Sequence, residues 1–249
     1  NDIMESPTYS PSRWTIDFGL RTLEECLVYP AALEILRTNV KPERANNPRK
    51  AYRDRWWLFA EPRTAMRKKL TDNTVYAAAA RHSKRFAIVW VDSTTLASDA
   101  TNAFAFDDDY SMGILLSRAH DAWAWARSST LETRLRYTPT TVFETFPWPD
   151  PVTPAQREVV AAASVALYER RSALCLEHNI GLTALYNLMD DGGFADLAAL
   201  HRVLDEAVAA AYGWPKSVAQ NPEELVKRLT DLNRQITEGT RTYSPFTAE

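Results

Sequence analysis

Three prolines fall within five residues at Pro147-Trp148-Pro149-Asp150-Pro151. Proline fixes its own φ and has no N–H to give, so this stretch cannot lie inside a helix or a central strand. The character of the sequence also changes there. We therefore expect a boundary at this point, with residues 1–150 and 151–249 as two domains. A chain of 249 residues has room for both.

The first part mixes helical and strand signals. Thr22 to Arg37 reads as a helix interrupted by Pro30, and Pro62 as the start of a second helix within the aromatic, basic stretch Tyr52 to Leu70. Phe86 to Val91 is predicted to be a buried strand, Ala103 to Phe106 another, and Thr140 to Phe146 a third. Between them, Tyr110 to Arg127 carries Leu115, Leu116, Ala119 and Trp123 at helical spacing, with Asp109 placed to cap it or complement its dipole. The second part is helical. Thr153 to His178 has few breakers, and Leu197, Leu200, Leu204, Val208 and Ala211 form one stripe. Asn221-Pro222-Glu223-Glu224 then reads as a capped helix start. The fold class expected is α+β: a mixed α/β domain followed by a small all-α domain.

Charge is unevenly placed. From Arg37 to Lys69, eleven basic residues stand against three acidic ones, a local excess of eight positive charges in a chain whose net charge is −3. Residues 151–249 carry nine basic and thirteen acidic side chains. Such asymmetry is expected where one face meets phosphate, and a solvated, salt-bridged surface is the competing reading. The phosphate candidates are Lys41, Arg44, Arg49, Lys50, Arg53, Arg55 and Arg63, with Arg81 and Lys84 in a second basic patch, Arg81 to Arg85. Trp56, Trp57 and Phe59, interleaved with the first group, read as core. A third patch, Leu131 to Tyr137, places Glu132 and Arg134 two residues apart. On an extended segment both would point the same way, and an acid beside a guanidinium suits a C·G pair: the acid accepts from cytosine N4 and Arg donates to guanine O6 and N7. A surface ion pair is the alternative.

Other chemistries are excluded or weak. There is no GxGxxG, no GxxxxGK[ST], no CxxC pair and no HExxH, and no Lys has an acid two residues before it. Seven glycines leave no glycine-rich turn to seat S-adenosylmethionine, and the Asn-Pro-Pro-aromatic motif of amino-methyltransferases is missing. We expect no cofactor, no metal and no catalytic residue in this chain. Cys175 and His178 are spaced as a nucleophile and base but lack an orienting acid, so they read as packing. Asp107-Asp108-Asp109 reads as a turn and helix cap rather than a cation site. His82 and His120 read as structural or phosphate-contacting groups. Cys26 and Cys175 read as free thiols of a reducing compartment, no apolar run is long enough to cross a bilayer, and a cytoplasmic location is expected. Asn1-Asp2-Ile3 has neither an initiator Met nor a signal pattern, which suggests a piece of a longer chain.

Seven motifs then occur in order. They are Arg13-Trp-x-Ile-Asp-Phe-Gly19, Val40-Lys-Pro-Glu-Arg44, Arg49-Lys-Ala-Tyr-Arg-x-Arg-Trp-Trp57, Glu61-Pro-Arg63, Arg136-Tyr-Thr-Pro-Thr-Thr141, Phe143-Glu-Thr-Phe-Pro147 and Leu204-Asp-Glu-Ala-Val-x-x-Ala-Tyr-Gly-Trp-Pro215. Together they resemble the C-terminal half of type IIL restriction–modification enzymes and their stand-alone methyltransferase relatives. The resemblance implies a target-recognition domain that reads double-stranded DNA in the major groove, then a small helical domain. It also implies an N6-adenine methyltransferase domain upstream on the same polypeptide, which would bind S-adenosylmethionine. On the same grounds, base readout falls on Glu132 and Arg134 and on a second region near Ser98, Asp99 and Ala100. A protein-interaction module without DNA contact is the alternative function.

Overall fold

The computed structural model describes residues 2–131 and 134–246, with the backbone alone at 130, 131 and 134. Two compact units emerge: Ser12–Asp72, and Asn1–Pro11 together with Asn73–Glu249. The chain opens on a short helix, α1 (Asp2–Glu5).

Ser12–Asp72 is built of short helices: α2 (Leu23–Cys26), α3 (Pro30–Asn39), α4 (Lys41–Ala45), α5 (Lys50–Asp54) and α6 (Thr64–Leu70). Thr22 and Glu25 close a capping box on α2, and Pro30 starts α3 where a missing N–H is harmless. The helix expected from Thr22 to Arg37 is thus two helices hinged before Pro30. Phe18, Cys26, Leu33, Trp56 and Leu58 form its core. The expectation that Trp56 and Trp57 are core holds for Trp56, with Trp57 packed against the cluster, while Phe59 is exposed.

The other unit contains β1 (Val75–Ala80), β2 (His82–Ser83), β3 (Ile88–Asp92), β4 (Thr101–Phe104), α7 (Asp109–Leu116), α8 (Arg118–Arg127), β5 (Ser129–Leu131) and β6 (Arg134–Arg136). The helices α9 (Pro154–Glu177), α10 (Leu182–Asp190), α11 (Ala195–Ala211), α12 (Lys216–Ala219) and α13 (Pro222–Thr237) complete it. The architecture is α+β. Its two sheets are three-stranded and antiparallel, ordered β3-β1-β4 and β2-β6-β5. Thr153 and Gln156 box the start of α9, and Asn221 caps α13. Asp108 caps α7, its Oδ1 accepting from Ser111 N at 2.8 Å, and Asp109 stands in the first turn, where a carboxylate complements the dipole.

Two expectations are corrected. The helix foreseen over Tyr110 to Arg127 is two, because Ser117 turns to ψ 156° and caps α8. The strand foreseen at Thr140–Phe146 is a run of turns, with Val142 N bonded to Thr138 O at 2.9 Å and Glu144 N to Pro139 O at 2.9 Å. Its buried residues Val142 and Phe146 are four apart, a spacing that sets two side chains on one face in a wound chain as well as in a strand. The proline stretch at 147–151 does not divide the core, since Phe146, Trp148, Val160 and Leu167 belong to one cluster. The division between compact units falls at Ser12 and Asn73. Around the prolines, Asn233 Nδ2 donates to Thr145 O at 2.7 Å, Tyr212 OH to Pro147 O at 2.7 Å, and Trp148 N to Tyr243 OH at 2.8 Å.

Candidate nucleic-acid interface

In Ser12–Asp72 the basic residues separate into two kinds. Arg44 is half-buried and donates to Trp56 O at 3.1 Å and to Leu58 O, so its charge satisfies carbonyls of the aromatic segment. This corrects the expectation that Arg44 is free to hold phosphate. Arg67 likewise makes a two-pronged ion pair with Asp17 at 2.6 and 3.1 Å. These two shape the unit. The others are exposed. Lys41 lies 5.3 Å over the Trp56 ring, Arg49 donates to Tyr52 OH at 2.8 Å, and Arg53 donates to Pro48 O at 3.1 Å. Lys50 faces Asp54 at 4.0 Å and Arg63 pairs with Glu61 at 2.7 Å. Exposed pairs of this kind contribute little and exchange readily for phosphate. Arg55, Lys68 and Lys69 are exposed and make no side-chain hydrogen bond or ion pair among the described residues. Lys68 and Lys69 were not singled out from the sequence, though they ended the basic run.

In the other unit, one segment joins the two sheets. Arg81 lies between β1 and β2; its N–H donates to Ala100 O at 2.8 Å and its carbonyl accepts from Tyr137 N at 3.0 Å. This places three sequence-predicted regions side by side: the turn with Arg81 and Lys84, the loop with Ser98 and Asp99, and the strand leaving Arg134. The loop is held locally, with Ala100 N donating to Ser98 Oγ at 3.3 Å and Thr101 N to Ser98 O at 3.0 Å. Ser98, Asp99 and Lys84 are exposed.

The small sheet β2-β6-β5 has two unlike faces. The register sets His82 across from Arg136 and Arg136 across from Ser129. His82, Arg136 and Ser129 are exposed. The opposite face carries Ser83 and Leu135, at 8% and 1% exposure. Side chains directly opposite on neighbouring strands share a face, so a polar, basic row crosses all three strands. Behind it, Phe86 stacks on Tyr137 at 4.8 Å, and Asn102 Nδ2 donates to Tyr137 O at 3.3 Å. His120 is fully buried there, with Nε2 3.1 Å from Tyr137 OH. Burial holds His120 neutral, its pKa depressed to about 3, and keeps the Tyr137 phenol protonated.

Glu132 lies outside the described residues, as does the side chain of Arg134. The register pairs Leu131 of β5 with Arg134 of β6. The same-face geometry expected of Glu132 and Arg134 lies outside the described residues. Arg136, exposed on the central strand, was missed as a candidate. Its signal was present in the buried–exposed alternation around Leu135.

The remaining candidates are structural. Cys175 is buried, accepts from Tyr9 OH at 3.5 Å, and has its thiol pushed up by burial. His178 packs its ring 5.2 Å from Phe194. Asp108 of the acidic triplet is the α7 cap. Among the described residues no helix is long and apolar enough to cross a membrane.

Comparison with known proteins agrees with this geometry. The sequence matches the family described as "MmeI, target recognition domain" over residues 10–150. Among solved structures, the chain is similar to the type IIL restriction–modification enzyme MmeI in complex with DNA. The TM-score is 0.72 at 23% identity, over 90% of this chain and 29% of that one. The chain thus spans 29% of the length of that enzyme. No protein of curated function matches the sequence.

Proposed function

The chain belongs to the family of MmeI target recognition domains, and on that premise we propose that it recognises a specific double-stranded DNA sequence for a restriction–modification protein. The observation that carries the reading is the joined surface around Arg81. A three-stranded ribbon with a polar outer face and a packed back lies against the loop with Ser98 and Asp99. A ribbon of this width suits the major groove, which is about 12 Å across. In this reading Lys41, Arg49, Lys50, Arg53, Arg55 and Arg63, joined by Lys68 and Lys69, hold phosphates and set the register on the duplex. Arg81 and Lys84 do so at the edge of the ribbon. Arg44 contributes by shaping the aromatic segment. Ser98, Asp99, Glu132 and Arg134 read base edges.

We place methylation of adenine, with S-adenosylmethionine, in a domain upstream on the same polypeptide. The described residues do not fit that cofactor: both sheets are antiparallel, with no parallel strand-to-helix turn to receive an adenosyl group. The target adenine would be turned out of the stack toward that domain.

Fluorescence anisotropy on random duplex DNA across a salt series tests the reading. Affinity should fall steeply with salt, and each lost phosphate contact should reduce the log–log slope by about 0.9. Binding that ignores salt, or none at low salt, would favour a protein-interaction module. Its surface would then be the exposed Leu27, Val28, Tyr29 and Ile35 of Ser12–Asp72.

A further inference from the structure

Among the described residues His82 makes no side-chain hydrogen bond or ion pair, yet it holds a defined place in the register. It sits on β2, an edge strand of the order β2-β6-β5, directly across from Arg136 on the central strand. Strands lie about 4.8 Å apart, so three of them span about 10 Å. A groove about 12 Å wide then meets the central strand with its base edges and the two edge strands with its phosphate walls. His82 is exposed on the outer face, beside Arg81 and Lys84 of the same turn.

We infer that His82 is a further DNA contact, meeting a backbone phosphate at the groove wall, and that its charge state sets the strength of that contact. The inference rests on the recognition reading. The groups around it are Arg136 across on β6, Ser129 beyond it on β5, Arg81 and Lys84 in its own turn, and Asp99 in the loop that Arg81 binds. Four of these five carry charge, and three of the four are cations that gather phosphate at the same edge. A histidine changes charge between pH 5 and 8, and only the imidazolium adds a charge to neutralise phosphate. The two buried histidines do not compete, since burial depresses His120 to about 3 and His201 to about 4.

The test is a salt series of duplex binding at pH 5.5 and pH 8.0 for the chain and for His82→Gln, with circular dichroism confirming the fold at both. For the unaltered chain the log–log salt slope should steepen by about 0.9 at pH 5.5. That corresponds to about 3- to 4-fold more affinity lost between 50 and 200 mM salt at the acid pH. His82→Gln should show the pH 8.0 slope at both pH values, while His178→Gln, which alters the other exposed histidine, should leave the steepening in place. Equal slopes in the unaltered chain, or steepening that survives His82→Gln, would overturn the inference and leave the recognition reading standing. Absence of salt-dependent binding at either pH would overturn both.

Discussion

Replacing His120 with Gln should flatten the acid side of the stability profile. The His120 ring lies 4.8 Å from Phe86 and 5.0 Å from Phe146, with no exposure to water. Burial therefore disfavours its charged form and depresses its pKa to about 3. Below pH 6.5 the unfolded chain takes up a proton that the folded chain cannot hold. The contribution to stability is complete above pH 6.5 and falls by about 1.4 kcal/mol per pH unit as the pH drops toward 3, so about 2 kcal/mol is gone at pH 5. His201, depressed to about 4 by burial and then by Arg171, Arg118 and Arg85, acts in the same direction. Asp205 opposes both. Burial raises it to about 6 despite its bonds from Arg118 at 2.7 Å and Gln220 at 3.3 Å, so it favours the fold as the pH falls from 6 to 4. His120 and His201 thus lower stability as the pH falls, and Asp205, joined by Asp121 and Asp109, whose carboxyls burial also raises, offsets part of that loss. Without His120 the slope in the window between about pH 6 and 4.5 should change by about 1.4 kcal/mol per pH unit, although Gln lowers stability at pH 7.5 by about 1–3 kcal/mol through lost packing. Urea unfolding followed by circular dichroism at half-unit pH steps gives both quantities. If the variant keeps the unaltered chain's slope, the ring is not held neutral and the reasoning fails.

Other substitutions separate grip from scaffold. Arg44→Ala leaves Trp56 O and Leu58 O without their donor and should destabilise Ser12–Asp72 by about 1–3 kcal/mol, seen by thermal unfolding. Lys68→Ala with Lys69→Ala should leave the melting temperature unchanged and reduce the DNA salt slope by about 1.8 in the anisotropy assay. Leu135→Ala should cost about 2–5 kcal/mol by emptying the back of the ribbon, read in the same thermal assay. Gly181→Ala would put a methyl carbon 2.5 Å from backbone atoms of Glu5, so α1 should detach and residues 2–11 become the first site of limited proteolysis.

Much of the helical framework was legible because its signals are local. Thr153, Asn221 and Pro222 mark helix starts by side-chain caps and a missing N–H, and the structure begins α9 and α13 there. The strand at Ile88–Asp92 followed from a β-branched run. β1 was not read, because Ala77 to Ala80 favour helix by propensity and become strand through pairing on both sides with β3 and β4. The extent of each compact unit depends on contacts between distant residues, which no local pattern carries. The basic run pointed to the right region of Ser12–Asp72 but could not show that Arg44 is spent on carbonyls. On the ribbon, Arg136 became evident only once the register was known, and so did its place directly across from His82.

The central strand β1 has a consequence for how such a surface can change. Its alanines are buried on both sides, at 1% exposure or less from Ala77 to Ala79, and Arg81 follows one residue after its end. Small side chains let both neighbouring layers approach closely and leave no room for larger ones. The plate is therefore unforgiving, while His82 and Lys84 of the turn at 81–85 and the loop at 98–100 lie at its margin with their side chains exposed. Letters of the recognised sequence could then be exchanged one at a time at that margin, with the plate never having to be recast.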